Sequence, residues 1–415
     1  MIAVFSIDDT PRLQYVLDFV FREKGCEILL IQDIEKWNDT EAIKLNYSNE
    51  LVECDYSIGP SGLLLEDELD ASLKIEEENG EFLIRGTEDP LSLIFYLISR
   101  YEEYQPHEKD EHGRFTAKQS QQFNLGILDQ PYADQLVKEL WRKLGIDYSE
   151  ILENFECVPS FDIDVAWAYK NRPLWRKMAA YLKGKWVERT AVLLRLRKDP
   201  YDTYSEIVAI SAELDRIICF TPVSDYASYD KNIHWANEHY QSLIRGLNSS
   251  GGLGLHPGYQ SHLKPDKLKE EKKRLEEIVG HKVTKSRFHF LRFHLPTSYN
   301  NLLKSNFKKD YSMGYADDVG FRAGTSFPHY FFDLKSNRKK KLFIFPFIYM
   351  DSALKDQLKL NPDEAALKVE QLMQSVKEVG GLFMCIWHNH TINDKGEWEN
   401  WLSVLHKTVK WGKTT

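Results

Sequence analysis

Cysteine is scarce in this chain and never arranged for chemistry. The five, Cys26, Cys54, Cys157, Cys219 and Cys385, are odd in number and scattered, and no Cys-x-x-Cys pair occurs. That excludes the redox and zinc chemistry of such a pair and fits free thiols in a reducing compartment. Positive charge is also short. The net charge is −9, which argues against a general nucleic-acid binder. The local run "SNRKKK" from Ser336 reads as a solvated turn. No apolar run approaches the length that spans a membrane, so no membrane insertion is expected. The start, "MIAVFSIDDTPRLQYVLDFVF", lacks a basic n-region and a small-residue cleavage site, so neither signal peptide nor anchor is expected, and the expected compartment is the cytoplasm. There is no internal repeat and no low-complexity linker.

What is there is a globular composition, 42% hydrophobic and 28% charged. Aromatics reach 13%; ten Trp and 21 Tyr suit sugar-facing clefts as well as ordinary cores. With 415 residues the chain is too long for one ordinary core, and two domains are expected, residues 1–150 and 151–415.

Residues 1–150 read as a small α/β module of unknown role. "AVFSI" and "CEILLIQ" have the texture of strands, and "TPRLQYVLDFVFREKG" between them reads as a helix closed by Gly25. "DPLSLIFYLISRYEEYQ" carries apolar residues at helical spacing behind an N-cap at Asp89, and "DQPYADQLVKELWRKLG" is a further helix ended by Gly145.

From about residue 155 short apolar strands end in polar residues and helices follow them. "CVPSFDID", "LGLHPG", "KSRFHFLRFH", "KLFIFPFIYMD" and "LFMCIWHNH" are the strands; "KPDKLKEEKKRLEEIVG" and "NPDEAALKVEQLMQSVKEVGG" are the clearest helices. Such alternation predicts parallel strands, whose carboxyl ends collect functional groups. Asp162, Asp164, His256, His289, Asp351 and His388 all fall at or near those ends. Asp162 and Asp164 in "SFDID" share a face if the strand continues, and two carboxylates side by side repel, so the pair needs a cation, an arginine or a shared proton. A divalent metal answers that need. One aspartate binds it and the other takes a proton, while a histidine on another strand end protonates a leaving group. The alternative is a strand end whose acids cap the next helix.

Residues 155–405 resemble the polysaccharide deacetylase (NodB-type) superfamily, carbohydrate esterase family four. "SFDID" is similar to its first motif, "GLGLHPGYQS" to its second, "SRFHFLRF" to its arginine-bearing third, "KKDYSMGYADDVGFRAGTSFP" to the segment after that, and "CIWHNH" to its last. The run "DPLSLIFYLISRYEEY…DEHGRF" also resembles a module that precedes such domains in some bacterial members. The resemblance implies a distorted parallel (β/α) barrel behind a smaller α/β domain. It implies hydrolysis of N-acetyl or O-acetyl groups on a carbohydrate, with a divalent metal, zinc above others. Asp162 is then the base and His388 the acid, Asp164 and His256 bind metal, and at least one of Arg287, Arg292 and Arg322 orients the base. Asp351 belongs to the surroundings, and the Tyr259 backbone amide is a candidate donor to the oxyanion. The family's second motif reads His-x-x-x-His; here Gln260 stands four residues after His256, so the third ligand is His289 or His262. Two rivals remain open at this point: a carbohydrate-binding scaffold that lost the metal, and a glycosyltransferase whose D-x-D holds a sugar nucleotide.

Overall fold

Thr10 sets the start of the first helix in the computed structural model, which describes residues 1–171, 186–214 and 216–413. Its side chain accepts the Leu13 N–H at 3.1 Å, and Pro11, with φ already fixed, opens the helix Pro11–Val20. Leu13, Val16, Leu17 and Val20, at helical spacing, are fully buried. A short turn, Arg22–Lys24, follows, and Gly25 at φ 86° reverses the chain. The strand Ile28–Ile31 then pairs in parallel with Ile2–Phe5, and Ile43–Asn46 and Tyr56–Ser57 extend the sheet on the other side. The Asp89 carboxylate caps the helix Pro90–Ile98, accepting the Ser92 N–H at 3.0 Å and the Ser92 hydroxyl at 2.6 Å.

These elements belong to the first of two compact units, residues 1–156 with 313–348 and 374–382. The stretch "KLFIFPFIYMD" does not form the single strand its apolar run suggests. Pro346 has no N–H for a ladder, and the run divides around it. Arg338–Ile344 pairs antiparallel with His329–Asp333 in the first unit, whereas Tyr349–Met350 belongs to the second.

The second unit comprises residues 157–312, 349–373 and 383–415. Its strands lie in the order Lys309–Asp310, Lys285–Ser286, Gly252–Leu255, Ile218–Thr221, Glu156–Asp162, Leu382–His388, Tyr349–Met350. Parallel registers include Ser286 with Leu255, Ile218 with Gly252, Ser160 with Ile218, and Tyr349 with Cys385. Ile218–Thr221 is buried throughout and Leu382–His388 in all but its last residue, as strands covered on both faces must be. The order is linear. Among the described residues no ladder joins its first strand to its last, so the backbone pairing is that of an open sheet and does not itself close the distorted parallel barrel the resemblance implies. The helix Pro265–Val279 ends at Gly280, φ 79°, as its sequence predicts. Pro362–Lys377 opens on a capping box: Asn361 accepts the Asp363 and Glu364 N–H groups, and Glu364 accepts the Asn361 N–H. Among the described residues no helix is long and apolar enough to cross a membrane.

Candidate metal and acid–base site

Parallel strands bring their carboxyl ends to one edge, and the second unit uses that edge for its ionisable groups. Asp162 is the last residue of Glu156–Asp162, and His388 is the last of Leu382–His388. His256 directly follows Gly252–Leu255 and Asp351 follows Tyr349–Met350. Arg287 comes next after Lys285–Ser286, and His289 opens the turn His289–Leu291, where Phe290 at φ 59° and Leu291 at φ 53° bend the chain away. Asp164 lies beyond the end of its strand, so strand alternation no longer fixes its direction.

Three of these side chains converge. One ligand atom each from Asp164, His256 and His289 lies within 4.8 Å of the other two. His256 Nε2 is 3.1 Å and His289 Nε2 3.6 Å from Asp164 Oδ1. The outer nitrogens explain why the inner ones face inward. His256 Nδ1 is 2.7 Å from the Arg287 carbonyl, which can only accept, so Nδ1 carries the proton. His289 Nδ1 is 3.0 Å from Asp230 Oδ1, which fixes the same tautomer. In their neutral forms both rings aim an Nε2 lone pair at a carboxylate oxygen. That oxygen is buried and makes no hydrogen bond of its own among the described residues. Three electron-pair donors around one point, each braced from behind, fit a divalent cation, and two imidazoles with one carboxylate are a known catalytic zinc set. Burial works against ionisation of Asp164, but the neighbouring His289 charge and the contacts of His256 and His289 outweigh it and hold the carboxyl well below its usual range. Burial likewise opposes protonation of His289, yet Asp164 and Asp230 raise it to about 9.

Asp162 is buried and held from one side. Arg287 Nη1 donates to Asp162 Oδ1 at 2.8 Å, Nη2 donates to Ser160 Oγ at 2.8 Å, and Nε donates to the Tyr311 carbonyl at 2.9 Å. The guanidinium stacks 4.3 Å from the Phe220 ring centroid. Gly254 makes room for that ring, since a Cβ there would come within 2.4 Å of it. Asp162 Oδ2 faces His256 Nε2 at 4.0 Å.

His388 is the third part of the site. Its Nδ1 bonds the buried Asp351 carboxylate at 2.8 Å, and Asp351 is itself fixed by the His388 N–H at 2.8 Å and the Thr391 hydroxyl at 2.5 Å. This leaves Nε2 pointing at Asp164 Oδ2, 3.7 Å away. Burial lowers the basicity of His388, but Asp351, with Asp164 and Asp162 behind it, raises it to about 10.

Other residues singled out by sequence lie elsewhere or do something else. His262 is outside the trio: its Nδ1 meets the Tyr259 carbonyl at 3.1 Å. The Tyr259 N–H, offered by sequence to an oxyanion, donates instead to both Asp230 oxygens at 3.0 and 3.1 Å. Arg322 belongs to the first unit, where its guanidinium holds Glu103 at 2.7 and 2.8 Å and the Gly314 carbonyl at 2.9 Å. Sequence reading missed Asp230, Ser160 and Thr391. Asp230 sits between Ile218–Thr221 and the helix Glu238–Ser250, on no predicted strand end, and nothing in its local sequence marks it.

A family of unknown function (DUF7033) matches residues 2–148. No curated protein matches the chain. Among solved structures, a protein described as a polysaccharide deacetylase from Mycobacterium smegmatis is 14% identical with a TM-score of 0.37, covering 62% of this chain and 85% of its own. Another so described from Pseudomonas aeruginosa PAO1 is 9% identical with a TM-score of 0.41, covering 64% of this chain and 86% of its own.

Proposed function

We propose that the second unit is a metal-dependent hydrolase that removes N-acetyl or O-acetyl groups from a sugar or glycan precursor, and that residues 1–150 fold as a separate module. The observation that carries the reading is the convergence of Asp164, His256 and His289 beside an arginine-held Asp162 and an aspartate-held His388. The carbohydrate substrate rests on the five sequence motifs in their family order. The donor set suits zinc. Five free cysteines, three of them buried, fit the cytoplasm as the compartment.

A divalent ion at the trio would supply Lewis acidity toward the acetyl carbonyl and water. The chain's own groups do the rest. Asp162, fixed through Oδ1, takes the proton of the attacking water. His388, anchored through Nδ1, gives a proton from Nε2 to the departing amine or alkoxide. Asp351 keeps that imidazole turned and charged. The products are acetate and the deacetylated sugar.

The test is metal content of the purified chain, measured beside acetate release from acetylated sugar oligomers. Wild type should bind about one equivalent of zinc and release acetate; Asp164→Asn should lose metal and activity together, with partial recovery in excess metal. No metal uptake and no acetate release from wild type would leave the non-catalytic scaffold in its place.

A further inference from the structure

One long stretch of this chain is strongly basic. Residues 170–198 hold ten Lys and Arg against one acid, Glu188, in a protein of net charge −9. Within the described part of that stretch the helix Trp186–Leu193 is followed by Arg195 at φ 62°. On that helix and in the segment after it apolar side chains stand in solvent: Val187 at 60%, Leu194 at 65% and Leu196 at 74% exposure. Arg195, Arg197 and Lys198 are exposed among them. Single surface leucines need no explanation, but contiguous ones interleaved with cations do.

This ridge is tied to the candidate site. The buried Asp199 carboxylate accepts the N–H groups of Ala168, Tyr169, Lys170 and Tyr201 at 2.8–3.0 Å, clamping the loop after Asp164 to the end of the ridge. Asn389, next to His388, donates to the carbonyls of Val165 and Tyr201 at 3.1 and 2.9 Å. Between loop and ridge lies a cavity of about 960 Å³, walled by Trp167 and Tyr204 on one hand and by Lys170, Arg195, Arg197 and Lys198 on the other.

We propose that the ridge from Val187 to Lys198 docks the protein on a membrane surface carrying anionic phospholipid headgroups. The leucines enter the interface, the cations face the phosphates, and the overall negative charge turns other faces away. Docking of this kind lies on the bilayer and spans nothing. It does not depend on the hydrolase reading, since binding is measured without turnover.

The experiment is cosedimentation of the full chain with phosphatidylcholine vesicles, with and without one part in three of phosphatidylglycerol. Binding is expected only to the anionic vesicles and should weaken with salt. The triple variant Arg195→Gln, Arg197→Gln, Lys198→Gln should lower the partition coefficient by roughly a hundredfold. Leu194→Ser with Leu196→Ser should weaken binding at an unchanged melting temperature and metal content; the single Leu196→Ser serves if the others fail to fold. No wild-type binding to anionic vesicles, or variants that bind as wild type does, overturns the proposal. So does complete displacement by millimolar inorganic phosphate, which assigns the cations to a free anion in the cavity, or firmer retention by an RNA oligomer than by the vesicles.

Discussion

Arg287 reaches Asp162 at 2.8 Å although two whole strands separate theirs in the sheet. Neighbouring strands are spaced about 4.8 Å apart, so in a flat sheet the two would stand about 14 Å from each other, beyond the arginine's reach. The sheet must therefore curl. Contacts from other strands close around the same guanidinium: the Phe220 ring, the Tyr311 carbonyl and Met384 Sδ at 3.8 Å. Arg287 is the post around which the open strand order wraps, and the curl is what brings Asp162, His256 and His388 to one point.

Breaking this pair should be expensive. Removing one member of a buried ion pair leaves the other charged and unpartnered, at a cost of about 3–5 kcal/mol. Arg287→Ala is expected to lose that order of stability in chemical denaturation. Arg287→Ala combined with Asp162→Asn should cost clearly less than the two single losses added. Strict additivity would show that the pair does not act as a unit.

Asp230 should matter to metal although it touches none of the Asp164 oxygens. It holds His289 Nδ1 and so turns Nε2 toward the trio. Asp230→Asn is expected to weaken zinc affinity about 10–100-fold, read by competition with a chromogenic chelator. The Tyr259 N–H keeps an acceptor in this variant, so the fold should survive. Unchanged affinity would take Asp230 out of the site's support.

How far the sequence carried can be judged from these residues. His256 and His388 were legible because each ends an apolar run that must be a buried parallel strand. The helices at Thr10, Asp89 and Asn361 were legible because caps and glycines act locally. Asp230 was not, because a loop residue acquires its role only when distant segments meet. Arg322 read as a site arginine from its place after the third motif. Its partner Glu103 lies 219 residues earlier, and no local pattern encodes so long a return. Pro346 marks the break in its run, and only the apolar residues on both sides of it suggest a single strand.

Two buried neighbours should tilt stability against pH in opposite directions. Burial, with Arg292 and His294 nearby, lowers His262 from 6.5 to about 4. The unfolded chain then binds a proton that the folded one refuses, so this contribution falls as pH drops from 6.5 to 4, by up to roughly 3 kcal/mol. Burial raises Glu271 from 4.5 to about 7, against the bonds it accepts from Ser261 and Gly258. Here the folded state holds the extra proton, and stability falls as pH rises from 4.5 to 7. Denaturant midpoints across pH 4–8 should lose the first slope in His262→Gln and the second in Glu271→Gln. Unchanged profiles in both would mean that neither group titrates as its burial demands.

The roles of Asp162 and His388 can be separated by the leaving group. An amine leaves only with a proton, so a general acid is needed for an acetamide; a nitrophenolate leaves without one. A positioned acid or base contributes about 10²–10⁴-fold. His388→Gln is expected to lose that order of kcat on an acetylated amino sugar and far less on nitrophenyl acetate. Asp351→Asn should follow the same pattern more weakly, because it acts through the orientation and charge of His388. Asp162→Asn should lose the same order on both substrates with zinc still bound, since the water must give up its proton in either case. Only the ratio of amide to ester rates distinguishes these roles from general structural damage, which lowers both together. If His388→Gln loses as much on the ester as on the amide, His388 is not the acid and its bond to Asp351 serves the fold alone.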